Sequence, residues 1–544
     1  MLLSDIRAKF SGIFFVILSC IVLMTACSPL DGIISFFADD GSGYIFKISI
    51  DCDPRNLDPQ IASDNSSVMI AKNMFVGLLR CDGSGRIIPG VAKDYSISSD
   101  GLVYTFYLDE RYSWNSAADF SAPVTADDFV FAFERIFDIE TASPYASDYL
   151  CISGANELYN TGEGSLGVIA VDEYTLEIRL EYQNAELLSL LTELPASPCN
   201  REFFESCKGK YGLETDSIAS NGPFYAAYWL HDEYGSNNYL RLRRNSGYSE
   251  ISRVYPAGIN YLVVKDDAEK LYDFTEGTTD LYISYAPEGS LVGFPFIESD
   301  NRSVGIIPNP ENELLSEKDI REIFSLCINR DYLSDAAYGH FISAYGILPP
   351  AAYVGGTLYR DSVVLNEPEY NSRLAEYKWE ISVSEDDKSL AESMTLLVPE
   401  SFADRESLEY LTAMWEDALN VGIAIEVVND YDYSDRVSSG YFDFLLAVID
   451  PKGCDAEDYL SGFACEEFGI AGNRCAELLQ KSGKYSSLTA ALGDIREAEL
   501  GLIEDYFYIP LWYCPEIVYY ADDNEGFEYD SISGAVIFEK AKHF

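Results

Sequence analysis

Ser99-Asp100-Gly101-Leu102-Val103-Tyr104-Thr105-Phe106, followed by Val124-Thr125-Ala126-Asp127-Asp128-Phe129-Val130, decides the fold class of this chain. Asp100-Gly101 is a turn dipeptide, because glycine and aspartate tolerate the backbone angles of a tight reversal. It opens onto Leu102 to Leu108, a run rich in β-branched and aromatic residues that predicts a strand. In the second stretch Thr125 and Asp128 make a helix-start signature, since their side chains can satisfy free N–H groups of the first turn. Phe129, Phe133, Ile136 and Phe137 then recur at helical spacing and mark one apolar face. Asp127-Asp128 is read as a solvated helix start rather than an acid–base pair.

The same alternation extends in both directions. Phe46, Ile48 and Ile50 alternate with Lys47 and Ser49, as a half-buried strand does. Leu176, Ile178 and Leu180 repeat the pattern, as do Leu240 and Leu242 between arginines. Ser316 with Asp319 predicts a second capped helix, and a third is expected from about Glu406 to Leu419. The chain is therefore mixed α/β. At 544 residues it is long enough for a large core and should divide into two or more lobes.

Composition excludes several functions. Lys plus Arg is 37 against 90 Asp plus Glu, a net charge of −53, the wrong sign for binding nucleic acid. His231, His340 and His543 are the only histidines, which argues against a multi-histidine metal site, and no cofactor is expected. No phosphate-binding loop, dinucleotide fingerprint, nucleophile elbow or H-E-x-x-H motif occurs. A hydrolase is disfavoured because no nucleophile–base pair is visible. The twelve cysteines include no C-x-x-C pair. Cys199 and Cys207 could pair, but small core residues are the expected role.

Residues 1–26 predict a secretory signal. Arg7 and Lys9 precede an apolar stretch from Phe10 to Met24, whose unbroken part is too short for a membrane span. Leu23-Met24-Thr25-Ala26-Cys27 resembles the lipobox of bacterial lipoproteins, which implies lipidation at Cys27, with Met24 departing from the usual leucine.

A wider resemblance rests on the order of local motifs. Pro54-Arg55-Asn56-Leu57-Asp58-Pro59 is similar to the "P-x-x-L-D-P" opening of the family 5 solute-binding proteins, receptors of ABC importers for oligopeptides, dipeptides and nickel. Asn73 to Leu79, Ile88 to Ala92, Ser99 to Phe106 and Val124 to Val130 follow in that family's order. Thr141 to Ser147, Asn221-Gly222-Pro223-Phe224, Gly277 to Asp280, Asp319 to Arg330, Gly440 to Asp443 and Ile509-Pro510-Leu511 complete it.

The resemblance implies a periplasmic-binding-protein-like fold of type II, cluster C, in which two α/β lobes close over a solute. The implied division is signal 1–26, tether 27–43, first lobe 44–90, an extra subdomain 91–190, first lobe again 191–285, second lobe 286–494, and a return to the first lobe over 495–544. It implies a monomer, lipid-anchored through Cys27 on the extracytoplasmic face of the bacterial cell membrane. Its partners would be a peptide or other small solute and the permease and ATPase subunits of an importer. A receptor serving a sensor, or a non-peptide solute, remains the alternative; nickel is disfavoured by the shortage of histidine. Tyr145, Tyr149, Asn221 and Tyr285 match positions near the family cleft. Oligopeptide-binding members hold the peptide ammonium with an aspartate after the "g-x-f/y-D" strand. An ungapped count from Asp443 places Ile449 at the family's tryptophan and Lys452 at that aspartate, with Asp450 two residues earlier. Either Asp450 substitutes, or the anchor has changed sign.

Overall fold

The structure is a computed structural model that describes residues 43–82, 86–232, 238–285, 288–336, 341–402, 405–451, 455–482, 487–530 and 533–544. The signal, Cys27, nearly all of the tether, and Lys452 lie outside the described residues.

One eleven-stranded sheet runs through both lobes. In the first lobe Ile45–Ile50 lies between Gly258–Val263 and Leu281–Ser284, parallel to both. Its alternating burial matches the alternation of Phe46, Ile48 and Ile50 with Lys47 and Ser49. In the second lobe Thr395–Pro399 runs parallel to Ala424–Val428 and Phe444–Ile449. Two long antiparallel strands, Phe296–Pro308 and Ile509–Tyr520, join the halves. Ile509–Tyr520 pairs with Leu281–Ser284 at its far end. Phe296–Pro308 pairs with Phe444–Ile449 at its far end. Each therefore begins in one lobe and ends in the other.

The lobes have separate cores. Phe46, Ile48, Phe106, Phe129 and Phe133 belong to a large first-lobe cluster. Ile323, Phe324, Trp379, Trp415 and Phe444 centre the second lobe, with an adjoining cluster built on Leu460, Leu478, Ile495 and Leu502. The last of these moves a boundary. Helix Leu488–Glu504 packs into the second lobe, so the chain returns to the first along Ile509–Tyr520 rather than from residue 495. The first crossing is likewise the strand Phe296–Pro308, beyond residue 286.

A separate four-stranded sheet, formed by Ala92–Ile97, Val103–Leu108, Thr175–Arg179 and Val168–Asp172, lies within 91–190. Helix Ala126–Ile136 packs against it with Phe129, Phe133 and Ile136 buried. The Asp128 carboxylate accepts from the Thr125 amide at 2.8 Å, as the capping signature predicts. It is not solvated, however. Asp128 is buried and also accepts from Trp114 Nε1 at 3.1 Å and Asn200 Nδ2 at 3.0 Å, while Asp127 alone stays exposed. Cys199 and Cys207 are free thiols, Cys199 buried in the core.

Candidate functional site

The two crossing strands do not pair evenly. Ser299 lies opposite Glu516 and Arg302 opposite Cys514, so Asp300 and Asn301 together face Pro515. Two residues against one is a bulge, and a proline, having no N–H to give the ladder, suits that place. The irregularity turns Asn301, Arg302 and Glu516 toward the space between the lobes.

That space is a cavity of about 720 Å³. Ser49, Asp51, Met69, Lys270 and Tyr285 line it from the first lobe, and Phe341, Phe402, Asp450 and Pro451 from the second. Asn301, Arg302 and Glu516 form its wall at the crossing strands. Beside them Tyr508 packs across Gly305, where a Cβ would lie 2.4 Å from the tyrosine ring, so only glycine fits.

Charges in the cavity are arranged in sets. Lys270 is held between Asp51 and Asp267. Arg302 Nε lies 3.1 Å from Asp450 Oδ2, and its guanidinium sits 4.8 Å above the Tyr285 ring. The Asp450 side chain is 42% exposed, yet the surrounding walls still raise its carboxyl above the ordinary range, with Arg302 opposing. Glu516 is buried. Desolvation pushes its carboxyl up to about 7, against the lowering effect of hydrogen bonds from Tyr529 Oη at 2.6 Å and Asn301 Nδ2 at 3.3 Å. Asn301 Oδ1, Ser49 Oγ and Ser533 Oγ are buried without a hydrogen-bond partner among the described residues, and all three residues line the cavity. Such unpaired polar atoms are costly in a closed core and reasonable in a site that a polar solute fills.

Of the residues singled out from sequence, Tyr285 and Asp450 meet at this cavity through Arg302. Ile449 is the last residue of its strand, opposite Ser303, and packs on the second lobe's helical core. Three others are held inside the first lobe and do not line the cavity. Tyr145 donates to the Ala62 carbonyl at 2.5 Å. Tyr149 is fully buried and donates to the Leu190 carbonyl at 3.0 Å. Asn221 is fully buried, accepting from Val76 N at 3.0 Å and donating to Val76 O at 2.8 Å. Arg302 and Glu516 are absent from the sequence reading. A signal existed: Pro515-Glu516 interrupts the otherwise apolar run from Leu511 to Tyr520, and a proline inside a strand marks a bulge. Among the described residues no group of three or more His, Cys, Asp or Glu could hold a metal ion.

Residues 86–468 match the family model described as bacterial extracellular solute-binding proteins, family 5. The chain is 23% identical over 491 residues to the probable deoxycholate-binding periplasmic protein YgiS of Escherichia coli, covering 87% of this chain and 88% of that one. It is 28% identical over 320 residues to the oligopeptide-binding protein OppA of Bacillus subtilis, 56% of each chain. Among solved structures, a periplasmic oligopeptide-binding protein of Borrelia burgdorferi superposes with a TM-score of 0.70 at 21% identity, over 92% of this chain and 100% of that one. The substrate-binding domain of an oligopeptide ABC transporter from Bacillus anthracis gives 0.68 at 24% identity, over 92% and 99%. The fold is thus the two-lobed one of these receptors, and the chain belongs to family 5 of the bacterial extracellular solute-binding proteins.

Proposed function

We propose that this protein is the extracytoplasmic receptor of an ABC importer, holding a peptide between its lobes and delivering it to the permease and ATPase subunits. The observation that carries the reading is the cavity at the crossing strands, walled by both lobes and furnished with unpaired buried polar atoms at Ser49, Asn301 and Ser533. A peptide backbone presents donors and acceptors at regular intervals, and water can fill what its side chains leave. Peptide capture is also what the names of most similar relatives describe. The relative named for deoxycholate suggests an anionic amphipath instead. Asp51, Asp267, Glu288, Asp450 and Glu516 outnumber Lys265, Lys270 and Arg302 in the cavity wall, which disfavours an anion.

The receptor is a monomer tethered by a lipid on Cys27. Of the two anchors offered by the sequence, Asp450 lines the cavity and is paired with Arg302, and Lys452 lies outside the described residues. The test is a panel of free tri- to pentapeptides added to the mature protein. A bound peptide should stabilise the folded state by mass action, about 2.7 kcal/mol at a hundred times Kd, and so raise the melting temperature. It should also shrink the radius of gyration in solution scattering. Binding without compaction would sink the clamp, and no binding by any peptide would sink the ligand class.

A further inference from the structure

The cavity holds one buried carboxylate, Glu516, that forms no ion pair with a cation among the described residues. Arg302 is shared out to Asp450, at 3.1 Å, and to the face of Tyr285. Arg302, Asp450 and Glu516 bring one guanidinium and two carboxyl groups to this part of the cavity wall. Glu516 receives only neutral donors among the described residues, and both of them, Tyr529 Oη and Asn301 Nδ2, grip the same oxygen, Oε2. Its Oε1 receives no hydrogen bond among the described residues. Asn301, whose amide nitrogen already touches this carboxylate, has its Oδ1 buried and unpaired. The Glu516 Oε1 and the Asn301 amide oxygen are thus two acceptors on touching side chains, neither of which receives a donor among the described residues. An ammonium, with three N–H donors and no acceptor, is the complementary group.

We infer that Glu516, with the Asn301 side chain in contact with it, is the cation subsite of the cavity and selects solutes that bring an ammonium or guanidinium to the crossing strands. This rests on the receptor reading above and moves the electrostatic anchor off the segment after Asp443, where Asp450 is already engaged by Arg302. The raised carboxyl of Glu516 fits: burial disfavours its charge, and a solute cation at hydrogen-bond distance favours it. The groups that face it are Arg302, Asp450 and Tyr285 as charged or titratable neighbours, with Tyr529 and Asn301 as hydrogen-bond donors.

The cation could be a peptide α-ammonium or a basic side chain, and three probes separate them by calorimetry: tetra-alanine, its N-acetyl form, and N-acetyl-Ala-Lys-Ala-Ala. Glu516→Gln keeps the shape and an acceptor for Tyr529, and circular dichroism melts would report its folding. Wild type should bind at least one cationic probe, and E516Q should weaken it about thirtyfold or more. Tetra-alanine alone binding assigns the α-ammonium; the acetylated lysine peptide binding assigns the side chain. Wild-type affinity for that probe should gain strength from pH 6 to 7.5 relative to E516Q, because the carboxyl must lose its proton to bind. If E516Q binds as wild type does, or the acetylated tetra-alanine is the preferred probe, the subsite is not Glu516. If no peptide binds wild type, the receptor's peptide reading fails separately. Agmatine against glycerol phosphate then decides the subsite: retention of agmatine that E516Q loses supports it, and no agmatine binding overturns it.

Discussion

Asp58, in the opening motif Pro54 to Pro59, should be among the costliest residues to neutralise. It is buried, and Arg135 from helix Ala126–Ile136 grips both of its oxygens, Nη1 to Oδ1 at 3.0 Å and Nη2 to Oδ2. Oδ1 also accepts from the Gln60 amide at 3.1 Å. The same guanidinium donates to Gln60 Oε1 at 2.6 Å and lies 4.2 Å over the Phe204 ring. Gln60 in turn donates to the carbonyls of Pro195 and Ser197 at 3.0 and 2.9 Å. One ion pair thus ties the motif to the subdomain helix and to the chain after it. Asp58→Asn keeps the volume but leaves a buried guanidinium without its counter-charge. Breaking one partner of a buried pair costs about 3–5 kcal/mol. That is a large share of the roughly 5–15 kcal/mol that holds a domain together. Calorimetry and urea denaturation of D58N and R135M, singly and combined, should show this loss for D58N. The double variant should lose clearly less than the sum, because removing both charges leaves neither uncompensated. A D58N loss below about 1 kcal/mol, or strict additivity, would refute the reasoning.

The contact between the lobes should depend on pH. Glu186 of the first lobe and Asp455 and Asp458 of the second act on one another electrostatically, and burial pushes Glu186 up to about 8 and Asp458 to about 6. Nearby, Gly355 lies close to the Ala185 carbonyl, so the lobes do touch here. Because these carboxyls are raised, the closed form binds more protons than a separated one, and the contact weakens as pH rises from about 4.5 toward 8. Solution scattering of the unliganded protein should show expansion across that window, reduced in Glu186→Gln/Asp455→Asn; a constant radius would contradict it. Cys27→Ala should release the protein from membranes, and an unchanged fraction with no acyl group on Cys27 in wild type would end the lipoprotein reading.

Local patterns with short-range causes were legible in the sequence. The alternation of Phe46, Ile48 and Ile50, the turn at Asp100-Gly101 and the cap at Thr125 each depend on neighbours within a few residues. The helix expected from Ser316 starts instead at Lys318. Asn312 Oδ1 takes the Leu314 and Leu315 amides, and Ser316 Oγ turns back to the Glu313 carbonyl, so a competing turn occupies the cap. The site was less legible. Tyr149 and Asn221 carry the residue types of a binding surface, but their polar atoms are spent on the carbonyl of Leu190 and the backbone of Val76, which only the fold brings near. Glu516 is one of 90 acidic residues, distinguished by a strand register between positions more than 200 apart in the chain.

The most direct test of the receptor account is mass spectrometry of whatever solute the mature protein carries when purified natively from its own host. A two-lobed clamp with a polar, net-acidic cavity of about 720 Å³ should yield a short peptide bearing a free ammonium or basic side chain, near one per chain. Recovery of an anionic, non-peptide solute at that stoichiometry would contradict both the ligand class and the role given to Glu516.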